Sequence, residues 1–113
     1  MQLKRHRASR YPFQADIELT DVQSETPVKG RTSDLSLFGC HASTLKPFTP
    51  GTKIRVRIVH RGCIFQALGK VVYGRLDAGM GIVFTGIQPN DQLILDKWIA
   101  ELRGSEDGLP TSR

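Results

Sequence analysis

Asp34-Leu35-Ser36-Leu37-Phe38-Gly39 is the stretch on which the rest of the chain hangs. In an extended segment residues i and i+2 face the same way, so Asp34 and Ser36 are expected to point together. Gly39 stands where a strand must bend or the backbone must take a positive φ, which glycine does at no steric cost. Asp34 is then an acceptor held on a rigid edge. Upstream lies a basic arm, Lys4-Arg5-His6-Arg7-Ala8-Ser9-Arg10. Its guanidinium forks match phosphate and the O6/N7 edge of guanine. A carboxylate can accept the N1–H and amino donors of the same base. A cationic arm facing Asp34 therefore reads as a candidate site for an anionic guanine nucleotide.

Together these stretches resemble the PilZ domain, the bacterial receptor module for cyclic di-GMP. That family carries Arg-x-x-x-Arg followed by Asp/Asn-x-Ser-x-x-Gly. Asp34, Ser36 and Gly39 match the second motif in full. The first matches in part: counting back four from Arg10 reaches His6, while Arg5, Arg7 and Arg10 fall on commonly basic positions. The resemblance covers about residues 4–103.

The resemblance implies that cyclic di-GMP, one molecule or two intercalated, docks on a barrel exterior. Arg5, Arg7 and Arg10 would contact phosphates and guanine, Asp34 and Ser36 a guanine edge, and Gly39 would allow close approach. His6 would occupy an arginine's place with fewer donors at neutral pH. The arm would order around the ligand, and a partner protein would read the changed surface. Tyr73 stands where several relatives carry an aromatic that stacks on a base. The alternative for Tyr73 is a barrel-end residue packing on its neighbours.

At 113 residues the chain is one domain with one core. With 24% charged and 39% hydrophobic residues it has the composition of a soluble globular protein. No apolar run approaches the ~18–20 residues of a membrane span, and no apolar leader follows the basic N-terminus, so the expectation is a cytoplasmic protein without membrane contact. Cys40 and Cys63 are expected as two buried thiols. The net charge of +5 is concentrated in the arm, which suggests an anionic partner.

Along the chain, Phe13, Ala15, Ile17 and Leu19 alternate with polar residues and predict a half-buried strand over 11–21. Further strands are predicted at 28–35, at 38–45 after the Gly39 bend, and at 52–60, where Ile54, Val56 and Ile58 oppose Lys53, Arg55 and Arg57. His60-Arg61-Gly62 reads as a hairpin turn. A fifth strand follows at 63–74, with Phe65, Ala67, Val71 and Tyr73 on one face, and a sixth carries Met80, Ile82 and Phe84 inward. Gly79 and Gly81 suit a turn and close strand packing. Pro89 opens a helix with Asp91 in its first turn, and Leu95, Trp98, Ile99 and Leu102 form its apolar stripe. Gly104 is its expected C′ residue.

The pattern predicts a mainly β fold: a small six-stranded antiparallel barrel with a C-terminal α-helix over 11–104. A flexible basic arm at 1–10 precedes it and a disordered tail at 105–113 follows. No nucleophile elbow, phosphate loop or metal spacing is present; His6, His41 and His60 share none with each other or with the cysteines. The chain reads as a non-enzyme without cofactor or metal, a cyclic di-GMP receptor acting on another protein as a monomer or ligand-dependent dimer. Two other readings stay open. One is a divergent PilZ domain that binds no nucleotide and serves as an interaction module. The other is a small-barrel binder of single-stranded nucleic acid, which the 7% aromatic content supports poorly.

Overall fold

The structure is a computed structural model and describes residues 9–107. Its elements are β1 (Tyr11–Pro12), β2 (Asp16–Asp21), β3 (Pro27–Leu35), β4 (Gly39–Ser43), β5 (Lys53–His60), β6 (Cys63–Arg75), β7 (Gly79–Gly86) and α1 (Pro89–Asp107). All pairings are antiparallel, in the order β3-β2-β5-β6-β7-β4, and β4 returns to β3. This closure makes the six-stranded barrel that the alternation predicts, and it leaves no open sheet edge among those strands.

The first predicted strand is split. β1 pairs Tyr11 with Leu35, β2 pairs Asp16 with Arg31, and the register slips by one residue across the gap. Thr32 is the cause. Its hydroxyl donates to the Phe13 carbonyl (2.6 Å) and accepts the Ala15 N–H (2.9 Å), standing in for backbone partners inside the barrel wall. The inward alternation survives the break, since Tyr11, Phe13, Ala15, Ile17 and Leu19 are all buried.

Those side chains meet Ile54, Val56 and Ile58 from β5, Phe65 and Val71 from β6, and Met80 and Ile82 from β7. Lys53, Arg55 and Arg57 face solvent, as alternation requires. Cys40 is buried, but Cys63 is exposed, contrary to expectation. Cys63 pairs with His60 at the tip of the β5–β6 hairpin, where residues 61–64 all lie open and nothing covers the inward phase.

The helix lays Leu95, Trp98 and Ile99 against the barrel. Full burial of each such side chain is worth ~1.5–3 kcal/mol. The Trp98 ring meets Phe13 (5.4 Å), His60 (5.5 Å) and Phe65 (6.1 Å) between centroids. Asp91 does more than complement the helix dipole: its Oδ1 accepts the Gln66 N–H (2.9 Å), a strand donor beyond the last β7 partner, Leu68. The helix also runs through Gly104 to Asp107. A C′ glycine stops a helix by turning left-handed, and Gly104 keeps a negative φ with no neighbour crowding it.

Candidate functional site

The Asp34–Gly39 stretch is the turn joining β3 to β4. Ser36 N–H donates to the Gly39 carbonyl (2.8 Å), and the Ser36 hydroxyl accepts the N–H groups of Phe38 and Gly39 (3.1 Å each). The hydroxyl is buried and spent on the turn itself. Asp34 and Ser36 therefore do not point together; Asp34 faces outward and Ser36 inward. Ser36 lies past Leu35, the last residue of β3, so the turn and not strand alternation sets its direction. Upstream, the β3–β4 register shifts between Thr32 and Asp34 and leaves Ser33 as an extra residue, which puts Thr32 inward and Asp34 outward.

Gly39 is needed for a different reason from the expected one. Its φ is not positive. A Cβ there would lie 2.0 Å from the Ile82 carbonyl oxygen, so glycine lets β7 approach the turn.

Among the described residues, Asp34 is engaged through one carboxylate oxygen only. Its Oδ1 accepts the His41 N–H across the strand pair (3.0 Å), and Arg10 Nη2 stands 3.8 Å from the same oxygen. Among the described residues Oδ2 has no hydrogen-bond partner. Beneath this pair the Cys40 thiol is pushed up to about 12, first by burial and then by the Asp34 charge, with Arg10 working the other way. That thiol is inert at neutral pH.

The outer face continues sideways from Asp34. Asp34 is level with His41, His41 with Gly81, and Gly81 with Tyr73. Alternation with Phe65, Ala67 and Val71 predicts Tyr73 on the inward face. A register shift between Val71 and Tyr73 turns it outward, and it is 41% exposed. Its ring lies on Gly81, where a Cβ would sit 2.1 Å from Tyr73 Cε2. It leans toward His41, with ring centroids 6.0 Å apart. The His41 ring is fixed at both nitrogens: Nδ1 pairs with the Ser33 hydroxyl (2.7 Å) and Nε2 with the Ala78 carbonyl.

Asp34, Arg10 and Tyr73 thus share one face of the barrel. Ser36 and Gly39 shape the turn behind it. Arg5, His6 and Arg7 lie outside the described residues. His41, Ser33 and Gly81 also belong to this face, although no motif in the sequence marks them for it. The signal for His41 was its place two residues after Gly39, in outward phase once the β4–β7 pairing is known. Among the described residues no group of His, Cys, Asp and Glu could hold a metal ion, and no helix is long and apolar enough to cross a membrane.

Comparison with known proteins adds the family. The sequence model of the PilZ domain matches residues 4–101. The chain belongs to the PilZ domain family. Solved PilZ domains share its fold. The PilZ domain of CeSA from a cellulose-synthesizing bacterium aligns with TM-score 0.67 at 21% identity, over 85% of this chain and 99% of that one. The PilZ domain of Escherichia coli YcgR, solved with c-di-GMP, aligns with TM-score 0.69 at 16% identity, over 97% and 100%. The Bacillus subtilis inhibitor of motility MotI/DgrA aligns with TM-score 0.70 at 14% identity, over 91% of this PilZ chain and 53% of its own length. At these identities the likeness is one of fold. No curated protein matches by sequence.

Proposed function

We propose that this PilZ domain is a non-enzymatic receptor for cyclic di-GMP that passes ligand occupancy to a partner protein. The observation that carries the reading is the half-open Asp34 carboxylate beside Arg10, on the outer face of a domain whose family includes a member solved with that ligand. Asp34 accepts guanine N1–H and amino donors through its open oxygen. Arg10, with Arg5, His6 and Arg7 of the arm, takes the phosphates and the O6/N7 edge. Tyr73 offers a face for stacking. Ser36 and Gly39 act from behind, by holding the turn that presents Asp34. Ligand charge draws residues 1–10 onto the barrel, and the new surface is what the partner reads.

Two observations weigh against a nucleic-acid binder. Arg55 is paired with Glu25 (3.2 Å from Nη1 to Oε2) and Arg31 with Asp16 (2.6 Å), so the outward cations are partly neutralised. Among the described residues, the groove on that basic face is lined by Asp16, Glu18, Lys29 and Arg57 with Ile17, Gly30 and Val59, and holds no aromatic side chain. Calorimetric titration with cyclic di-GMP, beside cyclic di-AMP and a random single-stranded oligonucleotide, tests the reading. Saturable binding of cyclic di-GMP alone is expected. Binding of the oligonucleotide alone would favour the nucleic-acid role, and no binding of any of the three would leave an interaction module.

A further inference from the structure

We propose that His41 is the positioning residue of this site, fixing the offset between the carboxylate of Asp34 and the aromatic face of Tyr73 so that one guanine meets both. The inference rests on the cyclic di-GMP reading above. β4 and β7 stand between the strands carrying Asp34 and Tyr73. Three strand spacings of ~4.8 Å place those two backbones roughly 14 Å apart. Two features shorten the gap: the Tyr73 ring leans across Gly81, and the His41 ring fills the remaining space at 6.0 Å from it.

His41 is also tied to every part it separates. Its backbone N–H holds Asp34 Oδ1 (3.0 Å), which sets the carboxylate's rotation. Its Nδ1 engages Ser33, the inserted residue beside Asp34 (2.7 Å). Its Nε2 faces the Ala78 carbonyl, in the turn between Tyr73's strand and the strand of Gly81. A carbonyl only accepts, so Nε2 carries the hydrogen. In the neutral ring Nδ1 then accepts from the Ser33 hydroxyl. The ring thus straps the β6–β7 turn to the β3–β4 edge. Gly79 leaves room for this strap, since a Cβ there would come within 3.2 Å of His41 Cε1.

Removing the strap frees the carboxylate edge and the aromatic face to move independently. A base that must stack on one while hydrogen bonding to the other then loses its discrimination before the barrel loses its fold. The test compares wild type, His41→Ala, His41→Gln and Ser33→Ala, measuring affinity for cyclic di-GMP and cyclic di-AMP together with thermal stability. The expected result for His41→Ala is a guanine-over-adenine preference reduced about tenfold, the scale of one misplaced charge-assisted hydrogen bond. Ser33→Ala shifts the ratio the same way by less and covers the case in which His41→Ala fails to fold. His41→Gln, whose amide can both donate to Ala78 and accept from Ser33, restores part of the ratio. An unchanged ratio in folded His41→Ala and Ser33→Ala, or equal weakening of both ligands in step with a lower Tm, would overturn the positioning role and leave the receptor reading standing. Failure of the wild-type protein to bind cyclic di-GMP overturns both.

Discussion

Arg10 Nη2 and Asp34 Oδ1 stand 3.8 Å apart with their side chains 47% and 30% exposed. That geometry describes an open ion pair, worth little to stability in water. Asp34 has a second and firmer engagement, the backbone N–H of His41. The two roles separate by substitution. Asp34→Asn keeps an oxygen for His41 but loses the charge, and should weaken cyclic di-GMP binding ten- to a hundredfold, about 1.5–3 kcal/mol. Its Tm should stay near that of wild type. Asp34→Ala should lose the same affinity and about 1 kcal/mol of stability besides. Calorimetry and thermal melts of the two variants check this; a large Tm loss in Asp34→Asn would make Asp34 a structural residue.

Gly81 should matter to ligand only through Tyr73. A methyl group at Gly81 displaces the Tyr73 ring without touching the carboxylate. Gly81→Ala and Tyr73→Ala should each weaken cyclic di-GMP binding by about 1–3 kcal/mol, the range of base–aromatic stacking. The double variant should be no worse than Tyr73→Ala alone, because neighbours that act through one contact are not additive. Additive losses in the cycle would show that Gly81 acts independently of the ring.

The helix–barrel seam should weaken in acid. His60 packs against Phe13 (4.6 Å) and Trp98, and burial, then the Arg61 charge, lowers its pKa below the usual 6.5. The folded state therefore prefers neutral imidazole. The unfolded chain binds the proton more readily, so stability is full above about pH 6.5 and falls as pH drops through the lowered folded value. Tm measured from pH 7.5 to pH 5 should decline more steeply in wild type than in His60→Phe. Parallel curves would assign the acid sensitivity to other groups.

Thr32 should be costly to replace by its isostere. Thr32→Val keeps the shape but leaves the Ala15 N–H and the Phe13 carbonyl without their hydroxyl partner inside the wall. A loss of about 1–3 kcal/mol in urea unfolding is expected. Thr32→Ser retains the hydroxyl and should lose less.

The strands β2 and β5 and the helix α1 were readable because each carries one strong period. Ile54, Val56 and Ile58 against Lys53, Arg55 and Arg57 leave β5 no other orientation, and Leu95, Trp98, Ile99 and Leu102 do the same for α1. What the sequence hid were the places where an extra residue breaks the period. Ser33 turns Asp34 outward, out of phase with the buried Thr32, and the shift after Val71 sends Tyr73 outward. Such insertions depend on the partner strand's register, which no local pattern reports. His41 was hidden for the same reason, since its importance comes from Gly81 and Ala78, neighbours only in space.

The two-residue strand β1 has a consequence for how the arm competes. Tyr11 is buried against Leu35's strand, and its hydroxyl accepts from Arg103 Nε of the helix (3.4 Å), so the chain is pinned one residue after Arg10. A guanidinium on so short a leash has an effective concentration in at least the millimolar range at Asp34. An uncharged nucleoside arriving at the open oxygen competes for the carboxylate's charge with a rival that never diffuses away. A ligand that brings its own phosphates offers that rival a second berth and vacates the carboxylate by the same contact. The foot of the arm would then act as a gatekeeper that admits a base only when an anion accompanies it.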